Sequence, residues 1–551
     1  MNFALPKSVA SLRTYNRRTF SSDLVAGITV GLVALPLAMA FAISSGLTPQ
    51  AGLYTALVAG FLISALGGSR VQIGGPTGAF VVVVASIAAR YGIDGLVMCT
   101  IMAGVILVVL GLTGMGSAIK FIPRPIIIGF TNGIALLIAS TQFRDFFGFR
   151  IPGVPSDFLP RMQVLIAHIS SVSGPAIAVA SISLLALALF RVVRPSFPAS
   201  ILVLFAATIA TAVFHIPVET IGSRFGSLPS GFPPFSLPTF HWDHMSSLLT
   251  PALTIAMLGA IESLMSAVVA DRMSGDTHQP NVELVAQGIA NIASPLFGGI
   301  PATGAIARTA TNVKSGAKTP VAGIIHAVTL LMVLLFAMPL ARFIPLCVLA
   351  AILMMVSWNM GEWLDIPKLF KLPAADILIW AITFLLTVFA DLSLAVEVGM
   401  IIAGLSFIRR VASTTTVSEI TAEDIDTGRV HILQDKTFPP YCAVFRIHGP
   451  FLFGSTDKIN EILARVDELP EVVILRLRNM TAIDGTGLLA LEDLAAHLKK
   501  SGRVMLVCGA RQQPALMMQD TDFERIVGKE NICSDVSNAI TRAEEVYSAY
   551  T

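Results

Sequence analysis

Charge is scarce in this chain of 551 residues: Asp, Glu, Lys and Arg together make up 13%, where a soluble domain carries about 25%. The shortage excludes an ordinary soluble enzyme over most of the length. Cysteine is scarce too. Cys99, Cys347, Cys442, Cys508 and Cys533 show neither paired nor metal-ligand spacing. They read as reduced thiols, and neither a disulfide framework nor a metal site is expected. A Walker lysine motif and a catalytic-triad pattern are both lacking, so no enzyme activity and no cofactor is expected. The net charge of +2 gives no reason to expect nucleic acid as a partner. The first twenty residues are basic (Lys7, Arg13, Arg17, Arg18) and lack the apolar core and cleavage site of a removable signal.

What the chain has instead is apolar sequence: 54% by residue count, with a mean hydropathy of +0.76. The charge it does carry is unevenly placed, with 14 of the 37 Lys and Arg falling after residue 410. This divides the chain into a transmembrane part at 1–410, a polar linker at 411–440 and a soluble domain at 441–551. A helix needs about 20 apolar residues to cross a bilayer. On that measure the first part reads as fourteen transmembrane segments, seven plus seven, in repeats at about 20–215 and 246–410. Two segments, 76–91 and 303–316, are short, and both follow Gly-Pro stretches.

Short motifs support the duplication. Gly74-Gly75-Pro76-Thr77-Gly78-Ala79 is echoed by Gly298-Gly299-Ile300-Pro301-Ala302-Thr303-Gly304-Ala305. Ser45-Gly46-Leu47-Thr48-Pro49-Gln50 and Ser274-Gly275-Asp276-Thr277-His278-Gln279 share the pattern S-G-x-T-x-Q, and the two pairs occur in the same order. An odd number of spans per repeat inverts the second copy. Basic residues agree with an N-terminus inside: sixteen fall on the expected cytoplasmic side and six outside. The outer six are all arginine: Arg90, Arg144, Arg150, Arg161, Arg224 and Arg342. The reading is a multi-pass protein of the cell (inner) membrane with both termini cytoplasmic.

Interrupted helices at matching places in two halves point to a secondary transporter. Backbone that leaves the helix at membrane depth must line a protein cavity. Helices expected to begin near Thr77 and Thr303 would then face each other, each with free N–H groups and a positive dipole end. Such a pair binds an anion without a dedicated cation. Packing kinks are the plainer alternative, but they do not explain duplication at matching positions.

Few charged residues lie inside the spans. Glu262 sits mid-segment, where an ionised carboxylate costs about 2.5–3.5 kcal/mol on insertion scales. It reads as a group that binds a proton or cation, or else as a structural carboxylate; Ser266, one turn on, shares its face. Arg308 lies about a turn inside the tenth helix, as part of the anion site or as an ion-pair partner. Glu397 reads as a hydrogen-bonded structural group or gate contact, His326 as isolated, and Gln287 and Asn291, four apart on the ninth span, as making interhelical hydrogen bonds.

In the tail, Ala443–Ile447, Val472–Leu477 and Val504–Val507 read as strands. Helical stretches fit 456–467, 486–500, 513–520 and 535–548, which together make a small α/β domain. Asp484 and Thr486 stand at a strand-to-helix turn, where a helix cap is the simplest role and a regulatory loop the alternative.

These motifs resemble the SulP anion permeases, the family that includes the family-26 solute carriers. The likeness runs from about Ser22 to Thr551. Asp23-Leu24-Val25-Ala26-Gly27-Ile28-Thr29-Val30-Gly31, Pro36-Leu37-Ala38-Met39-Ala40, Gly52-Leu53-Tyr54, the Gly75-Pro76-Thr77 segment, Glu262, the stretch from Thr303 to Arg308 and a STAS-like tail carry it. The resemblance implies a core of spans 1–4 and 8–11 beside a gate domain, a homodimer, and an elevator-like movement. It implies an anion site at Pro76, Thr77, Gly78, Ala79, Thr303, Gly304 and Ala305, with Ala38 and Met39 from the first span and Arg308 beside it. Sodium-coupled bicarbonate relatives carry aspartate where this chain has Glu262 and a hydroxyl where it has Ile306. Proton-coupled dicarboxylate relatives carry glutamate, as here. Thr486 matches a phosphorylated position of stand-alone STAS proteins, but Gly485 replaces the neighbouring hydroxyl. The expectation is proton-coupled uptake of a small carboxylate or dicarboxylate, with sulfate or bicarbonate transport, exchange or channel activity as alternatives. Its partners would be a small inorganic or organic anion, a proton, the lipid bilayer and a second copy of the chain.

Overall fold

The computed structural model describes residues 5–12, 15–117, 123–151, 154–155, 157–193, 199–226, 230–237, 245–390, 392–420 and 439–550. It falls into two compact units, 1–400 and 401–551.

The first unit is helical. Its main helices are α1 (Lys7–Leu12), α2 (Arg17–Ser44), α3 (Pro49–Leu66), α4 (Gly78–Leu112), α5 (Arg124–Phe146) and α6 (Phe158–Ala167). Then come α7 (Gly174–Val193), α8 (Ala199–Val213), α9 (Ile221–Phe225), α10 (Met245–Ser274), α11 (Pro280–Leu296) and α12 (Ile306–Lys314). The series ends with α13 (Val321–Met332), α14 (Leu346–Met360), α15 (Ile366–Leu369) and α16 (Ala374–Phe389), and α17 (Leu392–Thr414) begins in this unit and runs past residue 400. Eight helices among the described residues are long and apolar enough to cross a membrane, and α6, α8 and α16 are shorter apolar ones. One of the eight, α4, is broken at Gly92, whose φ of 73° and ψ of −175° suit only glycine at low cost. The break falls between the expected spans 76–91 and 94–115.

Two minimal strands interrupt the helices. β1 (Gly74–Gly75) precedes α4 and β2 (Thr303–Gly304) precedes α12. They pair antiparallel, Gly74 with Gly304 and Gly75 with Thr303. The pairing corrects one expectation: the second helix begins at Ile306, not near Thr303. Thr303 and Gly304 spend their backbone groups on the other strand, and Ala305 N–H donates to Ile73 O at 2.8 Å, so helical geometry starts only afterwards.

Polar side chains satisfy the rest of this extended backbone, as buried peptide groups require. Asn291 of α11 donates to Ala302 O and accepts from Ala302 N–H, both at 2.8 Å. Ser294 donates to Ile300 O, and Thr55 of α3 accepts from Ile300 N–H. Thr309 accepts from Ile73 N–H, and Asn312 donates to Val71 O. Gln287 donates to Glu283, a buried carboxylate that also accepts from Gly68 and Ser69 N–H. The interhelical hydrogen bonds expected of these two residues are replaced by others: Asn291 also donates to Gln287 O, one turn back on its own helix, at 2.8 Å. Asn291 serves a loop and Gln287 serves the carboxylate that holds another.

The second unit is a five-stranded sheet of β3 (Thr416–Glu419), β4 (Cys442–Phe451), β5 (Val472–Ile483), β6 (Val504–Cys508) and β7 (Ile532–Cys533), in that order. β3 runs antiparallel to β4 and all other neighbours are parallel. Its core packs Ile447, Val473 and Leu475 against Leu491, Leu494 and Phe523. The helical stretch expected at 456–467 is instead a series of single turns at Thr456–Ile459, Asn460–Leu463 and Val466–Glu468. β3 lies within the stretch expected as linker, whose residues 421–438 fall outside the described ones.

Candidate anion site

A cavity of about 340 Å³ opens where α4 and α12 begin. Its helical walls arise directly from the β1–β2 pair. Thr77 is the residue before α4 and Ala305 the residue before α12, both in extended conformation. Gly78 and Ala79 on one side, and Ile306 and Ala307 on the other, line the space between. First-turn N–H groups have no acceptor within their own helix, and each helix end carries a positive partial charge. The N–H of Ala305 is already committed to Ile73, so the second helix offers its donors from Ile306 onward.

Two charged side chains flank these ends. Glu262 of α10 lines the cavity and accepts a 2.9 Å hydrogen bond from Thr77 Oγ1. Arg308, only 2% exposed, donates through Nη2 to Pro76 O. Its Nη1 has no partner among the described residues and lies over Gly75, where a Cβ would come within 2.5 Å of it. Gly75 has φ 147°, so both its backbone and the guanidinium demand glycine there.

The structure brings together Thr77, Gly78, Ala79, Ala305, Arg308 and Glu262. It sets the other expected residues behind the wall. The Pro76 carbonyl is occupied by Arg308. Thr303 donates to Gly259 O at 3.0 Å, and Gly304 packs against Gln72. Ser266 shares a 3.1 Å hydrogen bond with Thr309, the residue that holds Ile73. Ala38 and Met39 are wholly buried, with the Ala38 carbonyl against Gly52 of α3. Leu37 and Phe41 line the cavity in their place. These two were legible as an i, i+4 pair, but α2 is apolar on every face, so sequence could not choose its phase. Ile306, Phe130, Thr131 and Glu362 also line the cavity and were not expected there.

In the second unit, Asp484 caps the helix Gly485–Lys500 by accepting from Gly487 N–H at 2.8 Å, and it also accepts from Phe453 N–H. Thr486, one residue into the helix, is exposed.

Comparison with known proteins covers both units. The sequence model described as the sulfate permease family matches residues 20–383, and that of the STAS domain matches residues 434–539. The chain is 41% identical over 519 residues to the putative sulfate transporter YvdB of Bacillus subtilis, covering 94% of this chain and 96% of that one. It is 30% identical over 545 residues to the bicarbonate transporter BicA of Synechocystis, covering 96% and 94%. The solved structure of SLC26A9 superposes with a TM-score of 0.87 over 99% of this chain and 93% of that one, at 17% identity, a likeness of fold.

Proposed function

This chain belongs to the sulfate permease (SulP) family of membrane transporters, and on that footing we propose that it moves an inorganic oxyanion, sulfate or bicarbonate, by secondary active transport. The observation that carries this is the cavity between two helix N-termini, at Thr77–Ala79 and Ala305–Ala307, with Arg308 behind them. Relatives named for sulfate and bicarbonate transport favour those anions over the carboxylate or dicarboxylate that Glu262 alone suggests.

Glu262 supports proton coupling. Ionised, it sets a negative charge beside the anion's place; protonated, it leaves Arg308 and two positive helix ends to act on the anion unopposed. Anion and proton would therefore enter together, which is symport. The inverted seven-plus-seven repeat is supported by packing partners that exchange in order. α2 against α13 becomes α10 against α4; α3 against α13 becomes α11 against α4; α5 against α16 becomes α14 against α7; all six pairs are packed together. An elevator-like movement within a homodimer, with both termini cytoplasmic and Asp484 and Thr486 in a regulatory loop, completes the reading.

The test is uptake by purified protein in liposomes, with labelled sulfate, bicarbonate and a dicarboxylate, with and without an imposed pH gradient. Saturable sulfate or bicarbonate uptake driven by a pH gradient is expected. Saturable uptake of the dicarboxylate alone would overturn the choice of anion, and current without saturation would indicate a channel.

A further inference from the structure

The arginine-only set of expected external residues is not used by the central site. Three of its members, Arg144, Arg161 and Arg224, line a second cavity of about 360 Å³. Two of them are committed. Arg224 pairs with Asp145 at 2.6 Å and with Glu219 at 2.5 Å. Arg161 is buried, donates to Ser140 Oγ at 2.7 Å and Pro155 O at 3.1 Å, and lies in the field of Asp157.

Arg144 is different. It stands in the last turn of α5 beside the Arg224–Asp145–Glu219 network. Yet its side chain makes no hydrogen bond or ion pair among the described residues, and its Nε is buried without a partner. A buried donor without an acceptor is costly. α2 and α5 both end here, and their C-terminal carbonyls attract positive charge. That accounts for arginines collecting at this end, but not for one keeping its donors free. Ser44, in the last turn of α2, lines the same cavity. Its hydroxyl accepts from Gln142 Nε2 at 3.0 Å, which leaves its own proton to donate.

The cavity also lies on the line of the central one. Phe41 and Ile138 both crowd Gly78. Ser44 and Thr141 are the residues three positions further along the same two helices, about 5 Å of rise.

We propose that this cavity is a second anion site, at the outer end of the transport path, in which Arg144 and the Ser44 hydroxyl hold an oxyanion of the sulfate or bicarbonate class. The guanidinium fork suits that ligand because it offers two parallel N–H groups to two oxygens, which lysine cannot. The choice of anion rests on the transport reading; the existence of the site does not.

The experiment is equilibrium titration of the purified full-length protein with inorganic sulfate, repeated with bicarbonate. The proteins are wild type, Arg144→Gln, Arg144→Lys, Ser44→Ala, Gly78→Val as a block of the central cavity, and the Arg144→Gln/Gly78→Val double variant. Wild type should bind two anions per chain, each single block one and the double variant none. Arg144→Lys should weaken the outer event about tenfold and Ser44→Ala less than that, as expected for charged and neutral hydrogen bonds. Titrations of Arg144→Gln that match wild type would overturn the outer site and leave the central one standing. Titrations of Gly78→Val that match wild type would overturn the central reading alone. Should Arg144→Gln fail to fold, unchanged affinities in both Arg144→Lys and Ser44→Ala would overturn the outer site. No binding of either anion by wild type would sink both readings.

Discussion

At one wall of the central cavity the chain leaves β1, passes Thr77 and enters α4 on Gly78 and Ala79; at the other it leaves β2, passes Ala305 and enters α12 on Ile306 and Ala307. The backbone plan is the same and the side chains are not. The first end carries a hydroxyl, which it gives to Glu262, and a glycine, which leaves its first N–H open. The second carries neither, but three residues into its helix comes Arg308, which reaches back to Pro76 at the first end. Two like positive dipole ends thus face the cavity, but the two charged side chains, Glu262 and Arg308, both close on the first of them. On the proposed function, the dipole ends are what hold the anion. Only the asymmetry offers a reason for coupling it to a proton.

The comparison breaks most sharply at the glycines. A side chain at Gly78 would come 2.8 Å from Ile138 Cδ1, the movable end of a side chain. One at Gly304 would come 1.6 Å from Gln72 Nε2, whose amide donates to Ser263 O. Gly78→Val should cost roughly 100-fold in sulfate affinity, about 3 kcal/mol, because its side chain fills the anion's place at the helix end, with little change in thermal stability. Gly304→Val should lower the melting temperature first, because it disturbs the β1–β2 pair. Calorimetry and thermal unfolding of both variants check this, and equal loss of affinity at unchanged stability in the two would make the half-sites equivalent after all.

Glu262→Gln removes the charge and its titration while keeping an acceptor for Thr77. Accumulation driven by a pH gradient should vanish while anion exchange persists, as measured by paired uptake and counterflow in liposomes. Full accumulation in this variant would place coupling elsewhere.

Arg308→Leu should weaken sulfate binding about tenfold, the worth of a charge-assisted contact. It should also lower stability, since the Pro76 carbonyl loses its donor. A variant with lowered stability and unchanged affinity would make Arg308 a tie between the two ends and nothing more.

The smallest effect is expected from the hydroxyls. Thr77→Ala frees Glu262 from the Thr77 hydroxyl that donates to it and should alter the pH dependence of uptake, with affinity shifted by less than tenfold. Thr303→Ala loses only a bond to Gly259 O, worth about 1 kcal/mol of stability, and should leave that pH dependence unmoved. Identical pH profiles in the two would remove Thr77 from the coupling argument.

Composition and apolar run length were enough to establish a helical membrane protein with a soluble α/β tail, because crossing a bilayer and satisfying its backbone leave few options. The repeated Gly-Pro stretches were enough to locate the broken helices, because helices interrupted at matching places are rare without a cavity to line. Glu262 and Arg308 were legible because charge is so costly at that depth. Which two residues at the second end pair as a strand, and so that α12 begins at Ile306, was settled only by register against Gly74 and Gly75, a contact between segments far apart in the chain. The rotation of α2 that presents Leu37 and Phe41 in place of Ala38 and Met39 was likewise invisible, since a helix that is apolar on every face there carries no polar face to mark its phase. The uses of Ser266, Asn291 and Glu283 depended on which loop backbones tertiary packing left without partners. Local sequence can show that a polar group is present in an apolar helix, but only the assembled fold determines what it must satisfy.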